Sequence, residues 1–279
     1  MGEVRLQHRR RRRSRHTRHV PHDHPPAAPG SPFDLTGRTA VVTGGGRGLG
    51  RGITQALLAA GADVVSLARS PLPDDLRAHA TALGRRLTAH TLDLADPAAI
   101  SAVATEVLAG HEVDVLVNNA GVQERHPAAE YPLDVWDRIV EVNLRAVFQL
   151  CQLFGAPMLE RSAGSIVNVA SLLSFQGGIT APAYAASKGG VAQLTKALCN
   201  EWAGRGVNVN AVAPGYMDTD LNTALFADPV RREQLVVRIP AGRWGRPEDV
   251  GNVVVFLASP AAAYVHGQVL AVDGGWLAR

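Results

Sequence analysis

The chain has 279 residues, 46% of them hydrophobic, enough for one large α/β domain or two small ones. Its formal charge of +3 conceals an asymmetry: residues 1–32 hold eight Arg against Glu3 and Asp23, a net of +6, which leaves a net of −3 on residues 33–279. A mildly acidic body removes basicity as an argument for nucleic-acid binding, and no uninterrupted apolar run approaches the roughly 20 residues that cross a membrane.

In chain order, Met1 to Pro32 comes first, with five His, Arg at 9 to 13, several Pro and almost no apolar periodicity. Such a segment is expected to be a disordered tail, separate from the domain at 33–279. A polyanion-binding arm, or a metal tract from His16, His19, His22 and His24, is a weaker reading than an unstructured extension, and no metal site is expected. The tail has no apolar h-region of a secretory signal, and Leu6 stands where myristoylation needs Ser or Thr. Cys151 and Cys199 lack metal-ligand spacing and read as reduced core cysteines of a cytoplasmic protein.

From Phe33 onward, short β-branched runs alternate with longer helical stretches, the pattern of a parallel sheet covered on both faces. The expected strands are Thr39–Thr43, Asp63–Leu67, Leu87–Leu92, Val113–Asn118, Gly164–Val169, Val207–Val212 and Gln268–Val272. Helices are expected at Gly50–Ala60, Pro97–Leu108, Leu133–Arg161, Pro182–Arg205 and Pro247–Ala258. Seven strands fit one doubly wound α/β domain, with the irregular stretch Ala213–Arg246 inserted over the C-terminal strand ends.

Behind the first strand lies Thr43-Gly44-Gly45-Gly46-Arg47-Gly48-Leu49-Gly50, then a helix. Glycines there let backbone N–H groups approach a pyrophosphate, and the helix N-terminus favours its negative charge. The second strand ends Leu67-Ala68-Arg69-Ser70, without the acidic residue that would bond a ribose 2′-hydroxyl. Arg69 with Arg47 suits a 2′-phosphate instead, which tilts the cofactor toward NADP(H). Asp93 ends the third strand within reach of an adenine edge, and Asn118-Asn119-Ala120-Gly121 ends the fourth with small residues and amides.

Only two of the 28 basic residues are lysines, and Lys188 follows Tyr184 by four positions. On a helix that spacing puts both on one face, where an ammonium would favour the phenolate. Ser171 ends the fifth strand 13 residues earlier, and Asn143 lies within the long helix after the fourth. With the glycine loop, Asn118-Asn119-Ala120-Gly121 and Pro214-Gly215, these motifs fall in one order across Phe33 to Arg279 and resemble the short-chain dehydrogenase/reductase family.

The resemblance implies a single-domain Rossmann-type fold, an NAD(P)(H) cofactor and hydride transfer at a hydroxyl or keto carbon. Tyr184 would be the general acid/base, Ser171 would orient the reacting oxygen, Lys188 would reach the nicotinamide ribose, and Asn143 would hold a relay water. It carries Thr43, Gly44, Arg47, Gly48, Leu49, Gly50, Asn119, Ala120, Gly121, Pro214, Gly215 and Thr219 to the cofactor. It also implies a homotetramer, with the helices from about Leu133 and Pro182 at one interface and Trp276 to Arg279 near another.

The segments Ala170 to Gly178, Arg238 to Gly245 and Ala271 to Arg279 are similar to sugar-acid dehydrogenases of that family, usually described as using NAD. Arg125 is the candidate partner for a carboxylate and Gln176 for a hydroxyl; the alternatives are a rim ion pair and a plain loop amide. Tyr216 and Trp244 form an apolar wall or pack in the lid. A reductase of 3-oxoacyl thioesters would want a more apolar pocket than Gln123, Glu124, Arg125 and Gln176 offer. A non-catalytic nucleotide sensor would have no use for Ser171, Tyr184 and Lys188 together.

Overall fold

The computed structural model describes residues 30–219 and 229–279; the tail, and the part of the expected insertion at 220–228, lie outside the described residues. Ser31–Arg279 forms one compact unit. Its strands are β1 (Thr39–Thr43), β2 (Asp63–Ala68), β3 (Leu87–Thr91), β4 (Val115–Asn118), β5 (Gly164–Val169), β6 (Val207–Pro214) and β7 (Val269–Val272). All pair in parallel, in the order β3-β2-β1-β4-β5-β6-β7. The order reverses between β1 and β4, and the crevice beyond their carboxyl ends is where an open α/β sheet binds its ligand.

The helices are α1 (Gly48–Ala59), α2 (Asp74–Ala82), α3 (Pro97–Gly110), α4 (Leu133–Val140), α5 (Ala146–Glu160), α6 (Pro182–Trp202), α7 (Pro229–Val236) and α8 (Pro247–Ala258). Because strand side chains alternate, each strand feeds two cores. Val41, Val65 and Leu116 face Ile100, Phe154 and Val191 of α3, α5 and α6, whereas Val42, Val64 and Val117 face Ile53, Leu57, Val250 and Val254 of α1 and α8. Helices α1 and α8 touch closely, since a Cβ on Gly52 would lie 2.4 Å from the Pro247 Cβ. No helix among the described residues is long and apolar enough to cross a membrane.

Two expectations change. The uninterrupted helix over Leu133–Arg161 is instead α4 and α5 joined by a π-helical turn, Glu141–Arg145. The reason is tertiary: Asn143, fully buried, needs its amide aimed at the Val122 backbone, and the wider turn provides that aim. Helix α2 adds an element between β2 and β3, short and polar, burying only Leu76 and Ala80. Elsewhere the strand boundaries shift by one or two residues, as helix and strand ends commonly do.

Candidate active site

The glycine loop is held by polar side chains at the crevice. The Thr43 hydroxyl accepts the N–H groups of Asn119 (2.9 Å) and Ala120 (3.0 Å), and the Asn119 amide donates to the Thr43 carbonyl (2.8 Å), so the ends of β1 and β4 are fastened together. Gly44 has φ +68°, where a side chain is disfavoured, and a Cβ on Gly50 would fall 2.0 Å from the Gly44 oxygen. The N-cap of α1, Arg47, makes no side-chain capping bond, and its first turn, Gly48-Leu49-Gly50-Arg51, has no acidic residue. Its leading N–H groups and positive dipole end are therefore available to an anion. Thr219 lies beside this loop, its Cβ 3.6 Å from where a Cβ on Gly48 would sit. Pro214 closes β6, and the Gly215 N–H bonds the Val272 carbonyl at 2.9 Å.

At the β2 and β3 ends, Arg69 and Asp93 face each other at 4.0 Å, with their side chains 64% and 52% exposed. A pair this open contributes little to stability and leaves the guanidinium free for a stronger anion. Arg47 is also exposed on the same loop system.

The second half of the site is built on α6. Tyr184 and Lys188 share one face, and the Lys188 ammonium lies 5.8 Å from the phenol ring centroid. Lys188 is only 3% exposed and donates to the Val169 carbonyl at 2.6 Å, which joins α6 to the end of β5. Burial pushes the ammonium's pKa down to about 8. Burial also raises the Tyr184 phenol above its ordinary value, opposed by a hydrogen bond from Ser171 and by the Arg125 charge. Without cofactor the phenol is thus protonated at neutral pH, burial being the largest influence on it.

Ser171 caps the short 3₁₀ turn Leu172–Ser174, its hydroxyl accepting the Leu173 N–H at 3.1 Å. Ser174, a residue with no motif of its own, accepts the Ser171 N–H (3.3 Å) and donates to the Lys188 carbonyl (2.7 Å), so one hydroxyl sets the distance between this turn and α6. Nothing in its spacing marks it out. Asn143 accepts from the Val122 N–H (2.8 Å) and donates to the Val122 carbonyl (2.9 Å) and the Ser187 hydroxyl (3.3 Å). Both amide hydrogens are committed, so a relay water would have only its Oδ1 or the backbone of the π turn to bind. Gly121 is open toward both groups: a Cβ there would meet the Asn143 Oδ1 at 3.2 Å and the Lys188 Nζ at 3.6 Å.

Arg125 lies at the mouth, close enough to Tyr184 to lower its pKa, and donates to the Ile179 carbonyl at 2.9 Å. The next residue, His126, donates its N–H to the Thr180 carbonyl at 3.0 Å, so the loops after β4 and before α6 are tied across the entrance. Glu124 bonds the His126 ring at 2.8 Å and the Arg138 guanidinium, and both hold its carboxyl below the usual range. Gln176 receives the Trp276 indole N–H at 3.5 Å. Tyr216 packs edge-on against buried Trp244, ring centroids 5.3 Å apart, and also against Trp276 at 4.8 Å.

These residues fit a nicotinamide dinucleotide. The uncapped start of α1 suits its pyrophosphate, and the space left by Gly121 beside Lys188 suits its nicotinamide half. Comparisons agree. Residues 44–277 match the family model described as enoyl-(acyl carrier protein) reductase. The chain is 49% identical over 247 residues to the 2-dehydro-3-deoxy-D-gluconate 5-dehydrogenase of Bacillus subtilis (strain 168), covering 88% of this chain and 97% of that one. A crystal structure from Beutenbergia cavernae, a candidate NAD(P)-dependent gluconate 5-dehydrogenase with bound NADP at low occupancy, is 52% identical. Its TM-score is 0.86, over 89% of this chain and 100% of that chain. Another from Agrobacterium tumefaciens, a candidate 2-deoxy-D-gluconate 3-dehydrogenase with bound NADP, is 49% identical. Its TM-score is 0.85, over 90% of this chain and 100% of that chain.

The depressed Lys188 value has a sign that denaturation can read. Between about 8 and the ordinary 10.5, the unfolded chain binds a proton at this position that the folded chain does not. Stability contributed by this group therefore rises with pH across that window. Urea denaturation of the wild type and Lys188→Met at several pH values from 8 to 10.5 should show the wild type gaining relative to the variant; a flat difference contradicts a buried, depressed ammonium.

Proposed function

The chain belongs to the short-chain dehydrogenase/reductase family and is an NAD(P)-dependent oxidoreductase acting on CH–OH groups, and on that premise we propose that its substrate is a sugar acid, as in a 2-dehydro-3-deoxy-D-gluconate 5-dehydrogenase. The observation that carries the substrate class is Arg125, a guanidinium at the mouth that acts electrostatically on Tyr184 and, among the described residues, has one donor engaged, by the Ile179 carbonyl. A planar fork with donors to spare suits a carboxylate held a few bonds from the reacting carbon.

In the proposed chemistry, reduction adds a hydride to the ketone carbon and a proton to its oxygen, and oxidation reverses both. The bound nicotinamide supplies or takes the hydride and, when oxidised, adds a positive charge that favours phenolate. Tyr184 exchanges the proton; its raised pKa keeps it in the protonated form from which reduction starts. Ser171 orients the substrate oxygen by the hydroxyl that also bonds the phenol. Lys188, titrating near 8, exchanges protons at physiological pH and passes them toward Tyr184. Asn143 keeps the Val122 backbone and α6 at fixed separation so that this relay stays aligned.

For the cofactor, the proposal favours NADP(H). Ala68 and Arg69 put no carboxylate at the end of β2 to repel a 2′-phosphate, and the NADP in the two solved relatives agrees with that preference. A homotetramer belongs to the same reading, supported by Leu133, 77% exposed, and by Phe148 on α5. So does a cytoplasmic location, consistent with the free, buried Cys151 and Cys199. A gluconate 5-dehydrogenase is the second reading, favoured by the Beutenbergia relative.

The test is a nicotinamide absorbance assay on the purified chain with 2-dehydro-3-deoxy-D-gluconate, D-gluconate and a 3-oxoacyl thioester, each with both cofactors in the appropriate redox state. The first substrate should turn over fastest; activity confined to the thioester overturns the sugar-acid reading. Tyr184→Phe should bind cofactor normally and lose about 10²- to 10⁴-fold in kcat. Arg69→Ala should raise KM for NADP(H) about tenfold, the scale of one lost charge-assisted bond, and leave NAD(H) nearly unchanged.

A further inference from the structure

The last turn of the chain is fastened to three segments on the substrate side of the site. Beyond β7, the Asp273 carboxylate accepts the N–H groups of Gly275 (2.8 Å) and Leu277 (2.9 Å), so the turn carrying Trp276 is rigid. The Ala241 N–H bonds the Gly274 carbonyl at 2.9 Å, which ties this turn to the segment after α7. Trp276 is 6% exposed and packs with Leu172 and Ile239. Its ring lies 4.8 Å from the Tyr216 ring and 4.1 Å from the Arg238 guanidinium. Aromatic and cation–π contacts of this kind fix the rotation of the indole.

The indole N–H then has one direction, and it meets the Gln176 Oε1 at 3.5 Å. An indole nitrogen only donates, so the amide oxygen must face it. The Gln176 NH₂ group is thereby turned the other way, five residues downstream of Ser171. We propose that Trp276 is a positioning residue that presents Gln176 as a hydrogen-bond donor, so that this position reads an acceptor oxygen of the sugar acid. The assignment rests on the reading of Gln176 as a substrate contact. It goes further in deciding which of the amide's two faces the substrate meets, and in placing the cause at the far end of the chain.

A double-mutant cycle on the full chain tests it, with Trp276→Phe, Gln176→Ala and the double variant assayed on the sugar acid that the enzyme turns over. Trp276→Phe keeps the stacked ring and removes the donor. Each single variant should raise KM about five- to tenfold with kcat within about twofold, and the double variant should be no worse than Gln176→Ala, because the two residues act through one bond. Additive losses, or an unchanged KM in Trp276→Phe beside a raised one in Gln176→Ala, overturn the positioning role. An unchanged KM in Gln176→Ala removes the substrate contact itself, and the proposal with it. Gln176→Glu leaves the indole its acceptor and puts an anionic oxygen where the NH₂ stood. It should raise KM more than Gln176→Ala, and a smaller rise contradicts a donor at this position.

Discussion

The site depends on the burial of one ammonium. Lys188 leaves water almost completely and, among the described residues, has one hydrogen bond in exchange, to the Val169 carbonyl. An ion in that position is costly unless its surroundings are fitted to it, and the cost appears as a pKa pushed down to about 8. What the arrangement secures is geometry. The same bond fastens the second turn of α6 to the end of β5, so the residue four positions earlier, Tyr184, is held near the strand end where Ser171 begins its turn. Gly121 keeps the space beside the ammonium clear.

Around that point, polar side chains do the work that apolar packing does elsewhere in the domain. Thr43 and Asn119 join β1 to β4, Ser174 joins the Ser171 turn to α6, and Asn143 joins the loop after β4 to the same helix. Behind them, Asn118, Asn168 and Thr195 form a buried chain of hydrogen bonds between β4, β5 and α6. Directional bonds specify distance and angle more narrowly than dispersion contacts, and a buried network whose partners are missing is strongly destabilising. The crevice therefore keeps its shape at the carboxyl edge of a sheet whose two cores are filled chiefly by Val, Leu and Ile.

Protonation follows from the same burial. A phenol raised and an amine lowered by one low-dielectric pocket are driven apart in proton affinity, so the phenol holds its proton while the amine sheds its own first. Ser171 and Arg125 act on the phenol in the opposite sense to burial, and both are residues that a substrate oxygen or carboxylate would engage. On the proposed reading, substrate binding and the ionisation of Tyr184 would be coupled through these shared partners.

Much of this was legible in the residues. The alternation of β-branched runs and helical stretches has a period set by local sterics, so all seven strands emerge from the pattern. The glycine loop and the Tyr184–Lys188 spacing lie within single elements, where position along the chain fixes position in space. The break in the helix at Glu141–Arg145 was not legible, because it answers to the Val122 backbone some twenty residues earlier. Nor was the role of Ser174, whose partners lie three residues before it and 14 after it on different elements. The pairing of Trp276 with Gln176 spans 100 positions. By itself the sequence determined the sheet, the glycine loop between β1 and α1 and the Tyr184–Lys188 pairing on one helix face, since those depend on neighbours within a strand, a turn or a helix. Only the tertiary structure decided which groups are buried, and therefore which protons are held and which face of an amide is free, because burial is a property of elements brought together from distant parts of the chain.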